Sequence, residues 1–174
     1  MTTPPPPLDF RPAREGDIPT LVGLYDDAAR WMRSTGIDQW QPGEKDVPHF
    51  RRRIAEGEVW LALTADGGVA GAYELWWEDE PAWGTRPPEA GYVHRLMTDR
   101  ATAPAGTGRA LLAHAEQRIA AAGRPLSRLD FKASSPGLRA YYESAGYTVA
   151  GEQPFKEGGG GSNYAVVLME KKLG

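Results

Sequence analysis

The chain has 174 residues, with 20 Lys and Arg against 23 Asp and Glu, a formal charge of −3 and no cysteine. That length supports one domain with a full core, the charge leaves no basic excess to hold a nucleic acid by its phosphates, and the missing thiols exclude disulfides, thiolate nucleophiles and Cys-ligated zinc. No apolar run nears the roughly 20 residues of a membrane span, and Met1 to Pro7 has neither the basic flank nor the apolar centre of a signal peptide, so a cytoplasmic protein is expected, with no nucleic-acid or membrane partner.

The opening MTTPPPP reads as polyproline II, a disordered tail over residues 1–7, and the folded domain is expected over 8–174. LDFRPA is a first strand. Asp17 then stands as cap of a helix whose Ile18, Leu21, Leu24, Tyr25, Ala28 and Trp31 recur at helical spacing. MRSTGIDQWQPGE breaks the pattern and leaves a loop carrying Trp40. A second helix is predicted from Asp46 to Glu56, with Arg51, Arg52 and Arg53 on a solvated face. EVWLALT and VAGAYELWW flank ADGG as a hairpin, and EDEPAWGTRPPE is turn chemistry. AGYVHRLMT is a further strand, leading through DRATAPAGTG into the helix RALLAHAEQRIAAAG, which Gly123 closes. LSRLDFKA is the next strand, and SPGLRAYYESAG a short helix with Ser135 as cap and Pro136 at its first position. YTVAGEQ and NYAVVLMEKKL are closing strands around the loop EGGGGS, expected to be mobile. The order β-α-α-β-β-β-α-β-α-β-β implies a single-domain α/β fold built on one mixed sheet, without repeats.

Gly106-Thr107-Gly108 precedes a helix, where free backbone N–H groups and about half a positive charge can hold an anion without a basic side chain. The residues alone leave two readings, a phosphate cradle or plain turn chemistry. There is no Gly-Lys-Ser/Thr of a P-loop and no third glycine at dinucleotide-fold spacing.

AYYESAGY, residues 140–147, follows a strand after that loop, and the ordered pair resembles the GNAT superfamily, enzymes that move an acyl group from acyl-CoA, usually to an amine. In that family a strand enters a Gln/Arg-x-x-Gly-x-Gly/Ala loop and helix, and a later helix carries Asn and a Tyr-Glu-x-x-Gly-Phe/Tyr ending. Here RLMT ends the strand, APAGTG is the loop, RALL begins the helix, and Tyr142, Gly146 and Tyr147 stand in register. The resemblance covers the element order from Leu8 to Leu173. It implies a GNAT-like fold with acetyl-CoA as co-substrate. Backbone groups of Leu96, Met97 and Thr98 would pair with the pantetheine arm, and amides of Ala105, Gly106, Thr107, Gly108 and Arg109 would hold the pyrophosphate. Tyr142 would protonate the departing thiolate; Ser135 takes the usual Asn position beside the cofactor. Two departures stand out. Ala103 replaces the usual Gln or Arg, and Pro104 lacks an N–H, which weakens the loop unless Arg100 or Arg109 supplies charge.

An alkylamine with pKa about 10 is neutral to roughly one part in a thousand at pH 7, a cost on the order of 4 kcal/mol unless a base takes the proton. His94, two residues before Leu96 and so on its face of an extended strand, is the candidate, with Tyr92, Glu74 and Glu89 in reserve. His49 and His114 suggest no metal triad, so no metal is expected. For the acceptor, Trp40, Trp76, Trp77 and Trp83 offer an aromatic wall, and Asp38, Glu74, Glu78, Asp79 and Glu80 offer attraction for a cation. The competing reading is that Trp40 closes the core and the acids solvate a hairpin.

The reading reached is an acetyl-CoA-dependent N-acetyltransferase that moves acetyl to a primary amine of a small molecule by direct attack in a ternary complex, since no cysteine is present to carry the acyl group. Exposed edge strands make a homodimer reasonable. The rivals are a silent CoA-binding or regulatory module, argued from Ala103 and Pro104, and a same-fold enzyme using a longer acyl-CoA or an alcohol acceptor.

Overall fold

A computed structural model of the chain describes residues 7–37, 40–157 and 163–174. Most of the proline tail, Asp38 and residues 158–162 of the glycine-rich loop lie outside the described residues. Strands β1 (Asp9–Pro12), β2 (Glu58–Leu63), β3 (Val69–Trp76), β4 (Ala90–Thr98), β5 (Leu126–Lys132), β6 (Thr148–Glu157) and β7 (Asn163–Lys172) form one sheet in the order β1-β2-β3-β4-β5-β7-β6. Among the described residues, only β4 and β5 pair in parallel. Helices α1 (Ile18–Ser34), α2 (Val47–Glu56), α3 (Glu80–Trp83), α4 (Thr107–Ala121) and α5 (Pro136–Ser144) connect them. The expected order is therefore present, with a 3-10 turn at Glu15–Asp17 and the single turn α3 added inside a stretch read as loop.

Helical periodicity puts Ile18, Leu21, Leu24, Tyr25, Ala28 and Ala29 of α1 on one buried stripe, which packs with Phe50 of α2 on Leu61, Ala72 and Met97. The opposite face of the sheet meets Leu111, Leu112, Ala115 and Ile119 of α4 and the partly buried Leu138 and Tyr142 of α5. Gly91 admits Ile119, because a Cβ there would stand 2.4 Å from its Cγ1.

Two expected caps are used otherwise. The Asp17 carboxylate takes both guanidinium nitrogens of Arg11, at 2.8 and 2.9 Å, and the Arg14 amide, so it secures the turn before α1 rather than α1 itself. Ser135 occupies the N-cap position of α5, yet its hydroxyl makes no capping bond and lies buried without a hydrogen-bond partner among the described residues. Asp46 does cap α2, accepting from the His49 amide.

The sheet is irregular at β4. Pairing with β3 runs Leu75↔Val93 and Glu74↔His94, then resumes at Ala72↔Met97, so Arg95 and Leu96 together oppose Tyr73. Arg95 has φ +50, the one positive value outside glycine among the described residues. On the other side, β4 pairs with β5 only from Ala90↔Leu126 to Tyr92↔Arg128. Beyond that, β4 continues with β3 to Thr98 and β5 continues with β7 to Lys132, leaving a wedge between them.

Close approach of β3 to β4 beside the bulge requires glycine. A Cβ on Gly71 would lie 2.4 Å from the Met97 carbonyl oxygen and 3.0 Å from Leu111 Cδ1. Gly71→Ala is expected to cost about 2 kcal/mol and to lower Tm by roughly 4–8 °C in thermal unfolding. Gly16→Ala, with nothing within 4 Å, should stay within about 0.5 kcal/mol of the parent.

Candidate active site

The bulge decides which side chains share a face. His94 pairs with Glu74 and Met97 with Ala72, so both project toward α1 and α2, whereas Leu96 packs with Val93, Leu111 and Tyr142 in the core under α4. The expectation that His94 shares the face of Leu96 fails, because the extra residue at Arg95 turns the alternation over.

His94 is 8% exposed and held on two sides. Its Nε2 lies 2.9 Å from Oδ2 of Asp79, and its ring stacks on Trp76 with centroids 3.8 Å apart. Asp79, itself 3% exposed, is the N-cap of α3, its Oδ1 accepting from the Ala82 amide. From β5, Asp130 joins them: one ligand-type atom each of Asp79, His94 and Asp130 lie within 4.8 Å of one another. That is close enough to surround a single cationic group, a grouping the histidine spacing did not suggest.

Glu74 is fully buried and accepts from three donors. Arg95 Nη1 (2.9 Å) and Trp76 Nε1 (3.0 Å) meet one oxygen, and His49 Nε2 (2.8 Å) meets the other. Burial alone would raise its carboxyl, but the Arg95 charge and the His49 hydrogen bond outweigh it and hold it down to about 2. Its role here is to anchor Arg95, and its oxygens are occupied by neighbours rather than turned to an acceptor. Tyr92 and Glu89, the other reserve bases, are both bound by Arg128 near the paired ends of β4 and β5. His114, a partly buried residue of α4, is hydrogen-bonded to Tyr73 and stacked on Phe10.

Tyr142 is half-buried on the α5 side, its ring 5.8 Å from Phe131, 5.2 Å from Tyr141 and 6.0 Å from Tyr147. Burial, then the nearby charges of Tyr141 and Asp130, push its hydroxyl well above the ordinary tyrosine range, so it keeps its proton at neutral pH. Asp130 thus stands near both His94 and Tyr142, at the wedge. The sequence signal for it was an acid between the apolar Leu129 and Phe131 of β5.

At the loop, Gly106 has φ +87 and is the N-cap of α4. Thr107 is buried and turned inward, its hydroxyl donating to the Pro104 carbonyl at 2.6 Å. The first α-helical bond is Ala110 N–H to Gly106 O, which leaves the Gly108 and Arg109 amides without acceptors inside the helix. Ala105 is exposed just before them. Neither arginine proposed to replace the missing loop charge is idle. Arg100 lies over the Trp31 ring at 3.3 Å, and Arg109 binds Ser144 and the Tyr141 carbonyl at the end of α5.

The tryptophans do not converge into a wall. Trp40 stacks on Tyr25 in the α1 and α2 core, Trp77 packs under α4, and Trp83 is buried beside Tyr92 and Arg128. Trp76 alone of the four contacts His94 and also carries Arg53 over its ring at 4.3 Å.

The model of the acetyltransferase (GNAT) domain family matches residues 32–171. The chain belongs to the GNAT acetyltransferase family. As a member it is an acyl-CoA-dependent acetyltransferase. Among its relatives, the uncharacterized N-acetyltransferase YesJ of Bacillus subtilis is 31% identical over 148 residues, 80% of this chain and 81% of YesJ. The crystal structure of a GNAT-family acetyltransferase from Listeria monocytogenes superposes with a TM-score of 0.78 at 28% identity, covering 95% of both chains. At 16% identity, yncA from Salmonella typhimurium, a structure with its cofactor acetyl-CoA, shares the fold with a TM-score of 0.66 over 96% of this chain and 94% of that one. No helix among the described residues of this GNAT protein is long and apolar enough to cross a membrane.

Because the folded carboxyl of Glu74 sits near 2, below the ordinary 4.5, the unfolded chain binds the proton first as pH falls. Its contribution is therefore full above about pH 4.5 and lost between there and pH 2, and is on the order of 3 kcal/mol. His49, lowered by burial, adds a loss in the same direction below its ordinary 6.5. Urea unfolding at pH 7 and pH 3 should show this fall in the parent, and Glu74→Gln should be less stable at pH 7 with a shallower fall.

Proposed function

We propose that the protein is an N-acetyltransferase that moves the acetyl group of acetyl-CoA to a primary amine of a small molecule, by direct attack with both substrates bound. The observation that carries this reading is the wedge after Tyr92, with His94, Asp130 and Tyr142 gathered at it. The residues present fit acetyl-CoA: the backbone of Leu96, Met97 and Thr98, open on the side where β5 has left β4, suits an extended pantetheine arm, and the left-handed Gly106 with the amides of Gly108 and Arg109 suits a pyrophosphate. Gly108 is tightly placed, since a Cβ there would press on Tyr141 Oη at 3.0 Å. The acetyl-CoA in yncA supports the same choice of co-substrate.

Acetyl-CoA supplies the acyl group as its thioester. His94 takes a proton from the acceptor's ammonium, directly or through water, and the freed nitrogen lone pair forms the C–N bond. Backbone N–H groups near Leu96 to Thr98 steady charge developing on the acyl oxygen. As the C–S bond breaks, the sulfur receives the Tyr142 hydroxyl proton, and the second proton shed by the newly acylated nitrogen returns through water to the tyrosinate. Asp130, with Asp79, makes the approach favourable to an amine that arrives as a cation, the part the sequence assigned to Asp38, Glu74, Glu78, Asp79 and Glu80. Trp40 closes the core instead of facing an acceptor, and Trp76 serves the site through its stack on His94.

Calorimetry with acetyl-CoA, then thiol release over a panel of primary amines, tests the whole reading. Acetyl-CoA binding with no thiol release from any amine would remove it. With an accepted amine, Tyr142→Phe is expected to lower kcat by roughly 10²-fold with little change in acetyl-CoA affinity. His94→Ala should lower kcat/KM by a comparable factor at pH 7, part of which is recovered at higher pH where the amine is already neutral.

A further inference from the structure

The contact between His94 and Asp79 does more than seat the ring. A carboxylate only accepts hydrogen bonds, so at 2.9 Å from Asp79 Oδ2 the Nε2 of His94 carries the hydrogen. In a neutral imidazole the lone pair then belongs to Nδ1, and among the described residues no hydrogen bond engages Nδ1. Rotation of the ring is opposed by the stack on Trp76, at 3.8 Å and 26° between planes. Asp79 is itself fixed, being buried, N-capping α3 and accepting the Ala82 amide with its second oxygen.

We propose that Asp79 is a positioning residue that holds His94 as the Nε2–H tautomer and so makes Nδ1 the atom that takes the acceptor's proton. This rests on the reading of His94 as the base. In the proton transfer, one N–H bond of the acceptor ammonium breaks and an Nδ1–H bond forms, while Nε2–H stays on the Asp79 carboxylate. The resulting imidazolium is flanked by Asp79 and Asp130, two carboxylates that favour the charge it gains. The turn α3, unforeseen from sequence, has a function in this scheme: it presents Asp79 to β4 across 15 residues of chain.

The test separates the hydrogen bond from the chemistry. Nitrogen-15 NMR of histidine-labelled protein reads each ring's tautomer, and the His94 signals are identified by their loss in His94→Ala. The parent is expected to show Nε2 protonated and Nδ1 bare. Asp79→Asn keeps an oxygen to cap α3 and can turn an amide N–H toward Nε2, which moves the hydrogen to Nδ1. In that variant the tautomer should reverse and kcat with an accepted amine should fall by roughly 10²-fold or more, while the acetyl-CoA dissociation constant stays within about twofold. Asp79→Glu, retaining a carboxylate, should recover the parental tautomer and part of the rate. A parental His94 bearing its hydrogen on Nδ1, or a tautomer unmoved by Asp79→Asn, overturns the proposal at the hydrogen bond. Reversal of the tautomer with unchanged turnover overturns it at the chemistry, and with it the reading of His94 as base.

Discussion

One buried carboxylate, Glu74, receives donors from α2, from β4 and from its own strand, and the shape of β4 depends on it. Arg95 sits in the left-handed region, a conformation that costs a non-glycine residue on the order of 1 kcal/mol or more and persists only when its surroundings hold it. The guanidinium bound to Glu74, with Trp76 nearby, is that restraint. Were Arg95 free to return to extended geometry, the register of β4 would slip by one and every side chain beyond it would change face. Leu96 would leave the α4 core and Met97 the α1 core, so the bulge is held by packing on both sides of the sheet as well as by the ion pair.

The same irregularity explains why the reactive groups meet where they do. His94 precedes the bulge and is backed by Trp76 and Asp79 on the helical layer of α1, α2 and α3, whereas Tyr142 comes from α5 in the opposite layer. In an unbroken sheet these layers would be separated by a strand pair. Only because β5 leaves β4 after Arg128 do residues from the two sides come near a common point, marked by Asp130. The proposed base and the proposed acid thus come from opposite layers, which suits a reaction that takes a proton from one partner and gives one to the other.

What was legible in the chain was local. Helical stripes, the hairpin, the Gly-x-Gly before α4, the late Tyr142 motif and His94 on a strand all declare themselves within a few residues. Features set by pairing between distant segments did not. Nothing in GYVHRLMT announces that Arg95 takes a positive φ, because that depends on how β3 runs beside it. Asp130 and Asp79 gain meaning only once β5 and α3 are brought to His94, and Glu74 looked like a free acid until Arg95 and His49 closed on it. Asp17 and Ser135 carry the right chemistry for caps, yet Arg11 claimed the first and burial silenced the second. The tryptophans misled for a related reason: neighbours in sequence, such as Trp76 at the end of β3 and Trp77 just after it, pack into different clusters.

An unpaired strand edge at the rim of a sheet is an invitation to other chains, and sheets ordinarily defend their rims with short strands, charge or cover. The wedge of this protein places such edges, on β4 and on β5, inside the sheet and between two helical layers. A polypeptide strand trying to fill it would have to thread side chains into both layers at once, while a slender, unbranched chain with amide groups would need only the width of its own backbone. The most adhesive edges of the sheet are also the ones least accessible to aggregation.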